Sequence, residues 1–140
     1  MKVSVRTLGR VADLDGQTLH EQLTVWLRYD PTHPYEVRLE FVDVYDDELI
    51  SWPFARDLLA DGMQRTPDAP AGIGDVQVWS NAGHPYGLFL RLRGDGGACV
   101  IALAWDDAAR FLRRSYRQVP AGRERVDVDA AIRALLSGVD

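Results

Sequence analysis

The sequence predicts one α+β domain over residues 1–140, built from antiparallel sheet with a few helices. Two observations support this prediction. Strand patterns dominate the first hundred residues, and helical patterns come in one short central piece and then at the C-terminal end. Runs of strands followed by helices are typical of α+β folds. The length of 140 residues suits a single domain with its own core, and no linker or internal repeat interrupts it.

Four strands are predicted before the first helix. Segments 2–8 and 23–29 are apolar or alternating, and segment 35–44 alternates apolar with charged residues, as in a strand with one buried face. The two prolines of segment 28–35 predict a turn between the second and third strands. The acidic segment 43–48 predicts a solvated hairpin turn, because its spacing does not match a calcium loop.

The stretch WPFARDLLADG, residues 52–62, predicts a strand that turns into a short helix. Pro53 suits the first helical turn, and Gly62 suits the position just past the helix end. Large apolar side chains are predicted to dock this helix on the sheet, and these are Trp52, Phe54, Leu58 and Leu59. Charged side chains are predicted on the opposite side, either solvated or as a partner surface, and these are Arg56, Asp57 and Asp61.

Three or four further strands are predicted in the second half of the chain. Three of them are expected at 75–79, 87–93 and 98–105. The glycines of segment 94–97 predict a tight hairpin turn between the last two. Segment 63–75 holds two prolines and several small residues, which predicts a mobile loop.

Two C-terminal helices complete the predicted order. The first is expected at 105–120, with Asp106 as its N-cap and Pro120 closing it. Its buried stripe is predicted to consist of Ala108, Phe111, Leu112 and Ser115. The second is expected at 127–138, with an aspartate as its cap.

No combination of residues predicts catalysis, a cofactor or a metal site. The three histidines are scattered and lack metal-ligand spacing. The glycine clusters lead into strands rather than helices, unlike phosphate-binding loops, and no serine lies in a nucleophile elbow. Cys99 is the single cysteine and lies in an apolar run, which predicts a buried structural thiol. The chain is therefore predicted not to be an enzyme.

The net charge and the distribution of arginines indicate which kinds of partner the chain could bind. The net charge is −5 and the pI about 5.1, which disfavours nucleic-acid binding. Four arginines at helical spacing fall along one side of the predicted helix 105–120, and these are Arg110, Arg113, Arg114 and Arg117. Two interpretations remain open: a solvated face, or a contact with an anionic partner such as an acidic protein surface or a phosphate backbone.

Location is predicted from what the sequence lacks. It contains no apolar run of bilayer-spanning length and no signal-peptide pattern at its start, which predicts a cytoplasmic protein. No amphipathic, Lys/Arg-rich anchor is evident. Any membrane-proximal location is therefore expected to come from a partner.

Four stretches together resemble the SsgA-like sporulation and cell-division proteins of actinomycetes. They are LRYDPTHPYEVRLEF (27–41), WPFARDLLADG (52–62), GDVQVW (74–79) and FLRRSYRQVPAGRE (111–124). The first two together are specific to the family. FARDLLADG followed by GDVQVW is closer to the SsgB type than to SsgA itself.

The resemblance implies a non-enzymatic adaptor that acts in sporulation-specific septum formation. It implies recruitment or positioning of the division GTPase FtsZ, with help from an SsgA-type partner, and hence recruitment from the cytoplasm to the septum. It also implies a whirly-like fold with two antiparallel sheets, a short central helix and C-terminal helices, assembled as a homotrimer. Exposed apolar strand faces favour association as well.

A second function class remains open, namely single-stranded nucleic-acid binding, because whirly relatives bind such strands. That function needs exposed aromatic side chains beside a basic groove. The available aromatic residues are Trp26, Trp79, Trp105 and Tyr116. Three of them lie in predicted strands, where burial is the simpler expectation.

Overall fold

The computed structural model describes residues 1–43, 47–125, 132–133 and 136. Four strands, a short helix, three strands and a longer helix follow one another, in the predicted order. The strands are β1 (Val3–Ala12), β2 (Leu19–Tyr29), β3 (Glu36–Val42), β4 (Leu49–Ala55), β5 (Val76–Ser80), β6 (Gly87–Gly94) and β7 (Gly97–Ala104). The helices are α1 (Arg56–Gly62) and α2 (Trp105–Gln118). The predicted helix at 127–138 lies largely outside the described residues.

The strands form a seven-stranded antiparallel sheet in the order β4-β3-β2-β1-β7-β6-β5. Strand β1 joins the two halves, because it pairs with β2 along most of its length and with β7 from Gly9 to Ala12. The α+β class is confirmed. The expectation of two separate sheets is not confirmed, since β1 carries the hydrogen-bonded ladder from one half into the other.

The main core lies between one face of the sheet and α2. Strand β2 buries Leu23, Val25, Leu27 and Tyr29 at alternate positions, as a strand with one covered face does. The predicted stripe of α2 is confirmed, with Ala108, Phe111, Leu112 and Ser115 all buried. Burying a side chain such as Phe111 contributes roughly 1.5–3 kcal/mol. This packing fixes which side of α2 faces solvent.

A smaller apolar cluster covers the other face of the sheet near β5 and β6. The Trp79 and Phe89 rings stack almost in parallel, with centroids 5.7 Å apart. The His84 ring meets Phe89 edge-on at 4.9 Å. Gly16 lies against both stacked rings with a positive φ of 76°, which favours glycine there. This half of the sheet is therefore packed on both faces.

The stretch 52–62 begins its helix later than predicted. Strand β4 continues through Pro53 to Ala55, and α1 starts at Arg56. Proline is tolerated in β4 because β4 is an edge strand of the sheet. Gly62 is the last residue of α1 rather than the residue beyond it. The side chains predicted as anchors do pack on the core, with Phe54 and Leu59 buried and Trp52 and Leu58 half-buried.

The predicted glycine hairpin is present, but the predicted N-cap of the longer helix is not. The glycine hairpin is confirmed, because β6 ends at Gly94 and β7 starts at Gly97. Asp106 is not the N-cap of α2: Ala104 occupies that position, with no side-chain cap, and Asp106 lies in the first turn. Segment 63–75 connects α1 to β5 and forms a backbone bridge between Ala71 and Val78.

Candidate partner-binding surface

Arg56 was predicted to be an exposed charge, and this prediction is wrong. The residue is fully buried at the start of α1. Its guanidinium lies between two aromatic rings, 4.7 Å from the centroid of Tyr29 and 4.2 Å from that of Tyr116. Aromatic faces attract cations, and the attraction strengthens when water is excluded. Arg56 is therefore an internal structural charge rather than part of a solvent-facing surface.

Hydrogen bonds from Arg56 tie α1 to the end of α2. Its Nη1 donates to the carbonyl oxygens of Val119, at 2.9 Å, and Ser115, at 3.2 Å. Its Nη2 donates to a carboxylate oxygen of Glu124 at 2.9 Å, and only 5% of the Glu124 side chain is exposed. A buried charge of this kind is stable only when paired and hydrogen-bonded. The segment after α2 is thereby fixed against α1.

The titration behaviour of the neighbours agrees with a charged Arg56–Glu124 pair. The hydrogen bond from Arg56 holds the pKa of Glu124 below its usual range. Burial raises the pKa of Tyr29 and of Tyr116, and the positive charge of Arg56 opposes both shifts. Both tyrosines therefore stay neutral at physiological pH, which leaves their rings as uncharged platforms for the cation.

The arginines predicted along one side of α2 are all exposed there, and these are Arg110, Arg113, Arg114 and Arg117. Arg110 lies 3.5 Å from a carboxylate oxygen of Asp107, and Arg114 donates to the carbonyl oxygen of Ser4 at 3.4 Å. Arg113 and Arg117 have no ion-pair partner among the described residues. We call these four residues the α2 arginine face.

The two aspartates predicted on α1 are exposed as well. Asp61 is paired with Arg65 at 3.1 Å. The charge of Asp57 contributes to raising the pKa of Tyr116, after the larger effect of burial, so Asp57 lies near the C-terminal half of α2. Asp57 and Asp61 are therefore exposed as predicted, Asp57 lies close enough to Tyr116 to affect its pKa, and Arg56 is not part of the exposed charge.

Sequence reasoning missed Tyr29 and Glu124, the two side chains that complete the Arg56 site. Tyr29 ends β2 just before the turn, and its hydroxyl donates to the Pro34 carbonyl oxygen at 3.0 Å. Glu124 lies in an irregular segment with no periodicity that could indicate burial. The sequence did carry a signal for the burial of Arg56 itself, because Arg56 and Leu59 are three residues apart and therefore share a helix face. It carried none for the two partners.

The aromatic residues considered for nucleic-acid binding lie at separate places. Trp79 is buried in the smaller apolar cluster, and Tyr116 packs on Arg56. Trp26 lies near Arg28 on β2. Trp105 is partly exposed at the start of α2, where its Nε1 donates to the Met63 carbonyl oxygen at 3.1 Å. These positions do not form one row of stacking platforms beside the α2 arginine face.

The described residues were also compared with the requirements of a metal site, a reactive thiol and a membrane-spanning helix. In that part of the chain, no three His, Cys, Asp or Glu side chains converge as a metal site would require. Cys99 is half-buried rather than fully buried, and burial raises the pKa of its thiol. Neither described helix combines the length and apolarity needed to cross a bilayer.

Fold and surface together define a small α+β protein whose candidate site is a charged helix surface. A family model described as Streptomyces sporulation and cell division protein, SsgA, matches residues 23–124. The chain belongs to this family, as the sequence motifs predict. It is 41% identical to the sporulation-specific cell division protein SsgB of Salinispora tropica, over 97% of this chain and 94% of that protein. It is 35% identical to SsgB of Streptomyces coelicolor, over 79% and 80% of the two chains.

Solved structures agree with this assignment. One comes from a study of SsgB mutations and longitudinal cell division during sporulation of Streptomyces coelicolor. It superposes with a TM-score of 0.76 at 32% identity and covers 89% of this chain and 93% of its own. An SsgA-like sporulation-specific cell division protein from Thermobifida fusca gives a TM-score of 0.77 at 29% identity, covering 96% of each chain.

Proposed function

We propose that this chain is a non-enzymatic adaptor in sporulation-specific septum formation and that it recruits or positions the division GTPase FtsZ. Its relatives in Salinispora tropica and Streptomyces coelicolor are named sporulation-specific cell division proteins. These relatives give no support to the nucleic-acid alternative. The role is thus one of binding other proteins, with an SsgA-type partner helping to place the adaptor.

The observation that best supports a binding role is the α2 arginine face. Arg113 and Arg117 are exposed and carry charges that no described carboxylate neutralises. The opposite side of the helix is buried in the core, and Arg56 ties its C-terminal end to α1. The helix backbone that carries the face is therefore fixed before binding, which reduces the backbone share of the ordering cost of association.

Electrostatics gives this face a preferred kind of partner. A cationic strip on a protein of net charge −5 directs an acidic partner surface to one side of the molecule. The exposed Asp57 on α1 opposes a misplaced acidic contact there, and such repulsion adds specificity. The contact surface proposed for FtsZ is the α2 arginine face, with Asp57 at its margin.

Co-sedimentation with FtsZ from the same organism tests the proposed function. The purified chain is expected to enter the pellet in stoichiometric amount when GTP drives FtsZ into filaments. It should stay in the supernatant when FtsZ is omitted. Absence of pelleting across micromolar concentrations at low salt would contradict FtsZ recruitment.

Location follows from the same proposal. The chain would be cytoplasmic and would reach the division septum through FtsZ or an SsgA-type partner, without a membrane anchor of its own. A fluorescent fusion is expected to form septal ladders in sporulating filaments and to lose them when FtsZ is depleted. Ladders that persist after depletion would contradict recruitment by FtsZ.

A further inference from the structure

A small polar pocket lies at the edge of the sheet formed by β5 and β6. Its volume is about 260 Å³. It is lined by Ile73, Gly74, Asp75, Gln77, Arg91 and Arg93. None of these residues belongs to the α2 arginine face or to the Arg56 site. The pocket is therefore a second place where charge is concentrated.

Arg91 lacks the partners that a partly buried guanidinium normally has. Its Nε atom is buried and finds no hydrogen-bond acceptor in the described part of the chain. No carboxylate there lies within ion-pair distance of its guanidinium. The buried Nε of Arg56 also finds no acceptor, but its two Nη atoms donate to a carboxylate and to two carbonyl groups, whereas the guanidinium of Arg91 has no ion-pair partner among the described residues. A desolvated donor without an acceptor is unfavourable, and a bound anion would relieve that cost.

The neighbours of Arg91 add further donors on the same face of the sheet. Arg93 lies two residues along β6, so both side chains project from the same face, and Arg93 also lacks an ion pair among the described residues. Gln77 is directly opposite Arg91 in the β5–β6 register. The Gln77 Nε2 donates to the Gly72 carbonyl oxygen at 3.3 Å, which orients the amide. Two cations and an oriented amide thus border one small space.

The other lining residues restrict the kind of anion. Asp75 is exposed at the pocket, and its negative charge repels a dianion such as phosphate about twice as strongly as a singly charged carboxylate. Ile73 borders the pocket with its side chain fully exposed to solvent, available to an apolar neighbour of the bound anion. Arginine pairs with a carboxylate through two parallel hydrogen bonds.

We propose that this pocket binds a single carboxylate side chain of an acidic peptide segment in a partner protein. Arg91 and Arg93 hold the carboxylate, and Ile73 contacts an apolar residue next to it in the peptide. The proposal does not depend on FtsZ recruitment, because it rests on β5, β6 and the loop before them. It gives the chain a second partner-contact point.

The test uses two capped peptides that differ in one group. Acetyl-Ala-Leu-Glu-Leu-Ala-amide carries one carboxylate, and its twin carries Gln in place of Glu. Binding to the full chain is followed by the NMR signal of the Arg91 Nε–H, with inorganic phosphate as a third probe. The expected result is a saturable shift with the Glu peptide, at least about tenfold weaker binding of the Gln twin, and weaker binding of phosphate.

Matched variants locate the binding. Arg93→Gln is expected to weaken binding of the Glu peptide about tenfold, and Arg91→Gln more strongly. Arg6→Gln removes an exposed, unpaired charge from β1 and is expected to leave the affinity unchanged. If Arg91→Gln does not fold, Arg93→Gln decides. Equal binding of both peptides, tighter binding of phosphate, unchanged affinity in Arg93→Gln, or no shift with any probe would overturn the proposal.

Discussion

Arg56 holds its charge in the interior of the protein, and the groups that stabilise this charge come from outside its own helix. Tyr29 is on β2, Tyr116 is on α2, and Glu124 lies beyond α2. One side chain on α1 thus links β2 to the C-terminal end of α2 and the segment after it, which are all distant from α1 in sequence. Removing it would leave the Glu124 carboxylate buried without its partner.

Arg56→Met is expected to lower the free energy of unfolding clearly more than removal of an exposed charge pair does, because the Glu124 carboxylate loses its charged partner and two aromatic rings lose the guanidinium between them. The matched control is Arg65→Met, which breaks the exposed pair with Asp61 and should cost at most about 1 kcal/mol. Urea denaturation of the two variants makes the comparison. Similar losses in both would contradict the structural role assigned to Arg56.

Acid stability should depend on the same pair. Because the pKa of Glu124 is lowered in the folded state, its contribution is fully present above the ordinary value of 4.5. It is lost as the pH falls through the lower folded value. Glu124→Gln is therefore expected to destabilise the protein near neutral pH and to bring the two stability curves together below pH 4.5. Thermal unfolding as a function of pH measures this, and parallel curves would contradict it.

The sequence-based prediction that Arg56 is exposed was wrong because it relied on the charge of the neighbouring residues. The charge pattern grouped Arg56 with Asp57 and Asp61, and only the two aspartates are exposed. Arg56 lies three residues before the buried Leu59, so helical spacing already placed it near the core. The carboxylate that makes its burial possible is Glu124, and no local pattern connects the two positions.

At the scale of elements, α1 is a short helix pressed tightly against the sheet. Gly62 ends it, and a Cβ atom built there would lie 2.3 Å from the Cβ of Val78 on β5. A backbone carbon of Val78 would be 2.9 Å away, so rotation of a side chain cannot relieve the clash. Glycine is required at this position for close packing, and Gly62 has no positive φ.

Gly62→Ala is expected to lower the free energy of unfolding by about 2 kcal/mol. Overpacking costs about 1–3 kcal/mol, and the helix propensity of alanine returns at most about 1 kcal/mol. Gly96→Ala is the control, because a Cβ there meets nothing within 4 Å. Chemical denaturation compares the two, and a neutral or stabilising Gly62→Ala would contradict the packing.

Helix α2 shows which features of an element follow from its sequence. Its buried stripe follows from the 3.6-residue period and is confirmed, while the helix ends at Gln118, two residues before the predicted end at Pro120. Its N-cap was predicted wrongly, because the helix starts at Trp105 and the N-cap position falls on Ala104, which places Asp106 in the first turn. Asp107 accepts a hydrogen bond of 2.6 Å from the Thr7 hydroxyl on β1 and therefore anchors the helix to the sheet.

At the scale of the whole molecule, strand alternation predicted the antiparallel sheet but not the order of its strands. The order depends on β1 pairing with β7, whose contact residues are about ninety positions apart. Hydrophobic periodicity within a strand carries no information on such a pairing. Without the β1–β7 pairing, the strand patterns alone fit a single continuous sheet and two separate sheets equally well.

The outer face of the β4-β3-β2-β1 half bears directly on assembly. It exposes Leu8 on β1 and the directly paired Val42 and Leu49 on β3 and β4. Exposed apolar side chains that share a face favour association between protein surfaces. We expect the chain to form the homotrimer that the family resemblance implies.

Analytical ultracentrifugation at micromolar concentration checks this expectation. The wild-type chain should sediment as a trimer, and Leu8→Glu should shift the distribution toward monomer because it places a charge in an apolar contact. Arg65→Glu alters an exposed charge just after α1, away from Leu8 in the sequence and outside the apolar row, and should leave the trimer intact. A wild-type chain that sediments as a stable monomer would contradict the expectation.

We propose that FtsZ binds the α2 arginine face. The most direct measurement compares two double charge reversals in GTP-dependent co-sedimentation, each changing the net charge by the same amount. Arg113→Glu with Arg117→Glu alters the face, and Lys2→Glu with Arg6→Glu alters exposed cations on and just before β1. We expect at least about tenfold weaker binding for the first pair and binding close to wild type for the second. Equal binding by both double variants and the wild-type chain would contradict it.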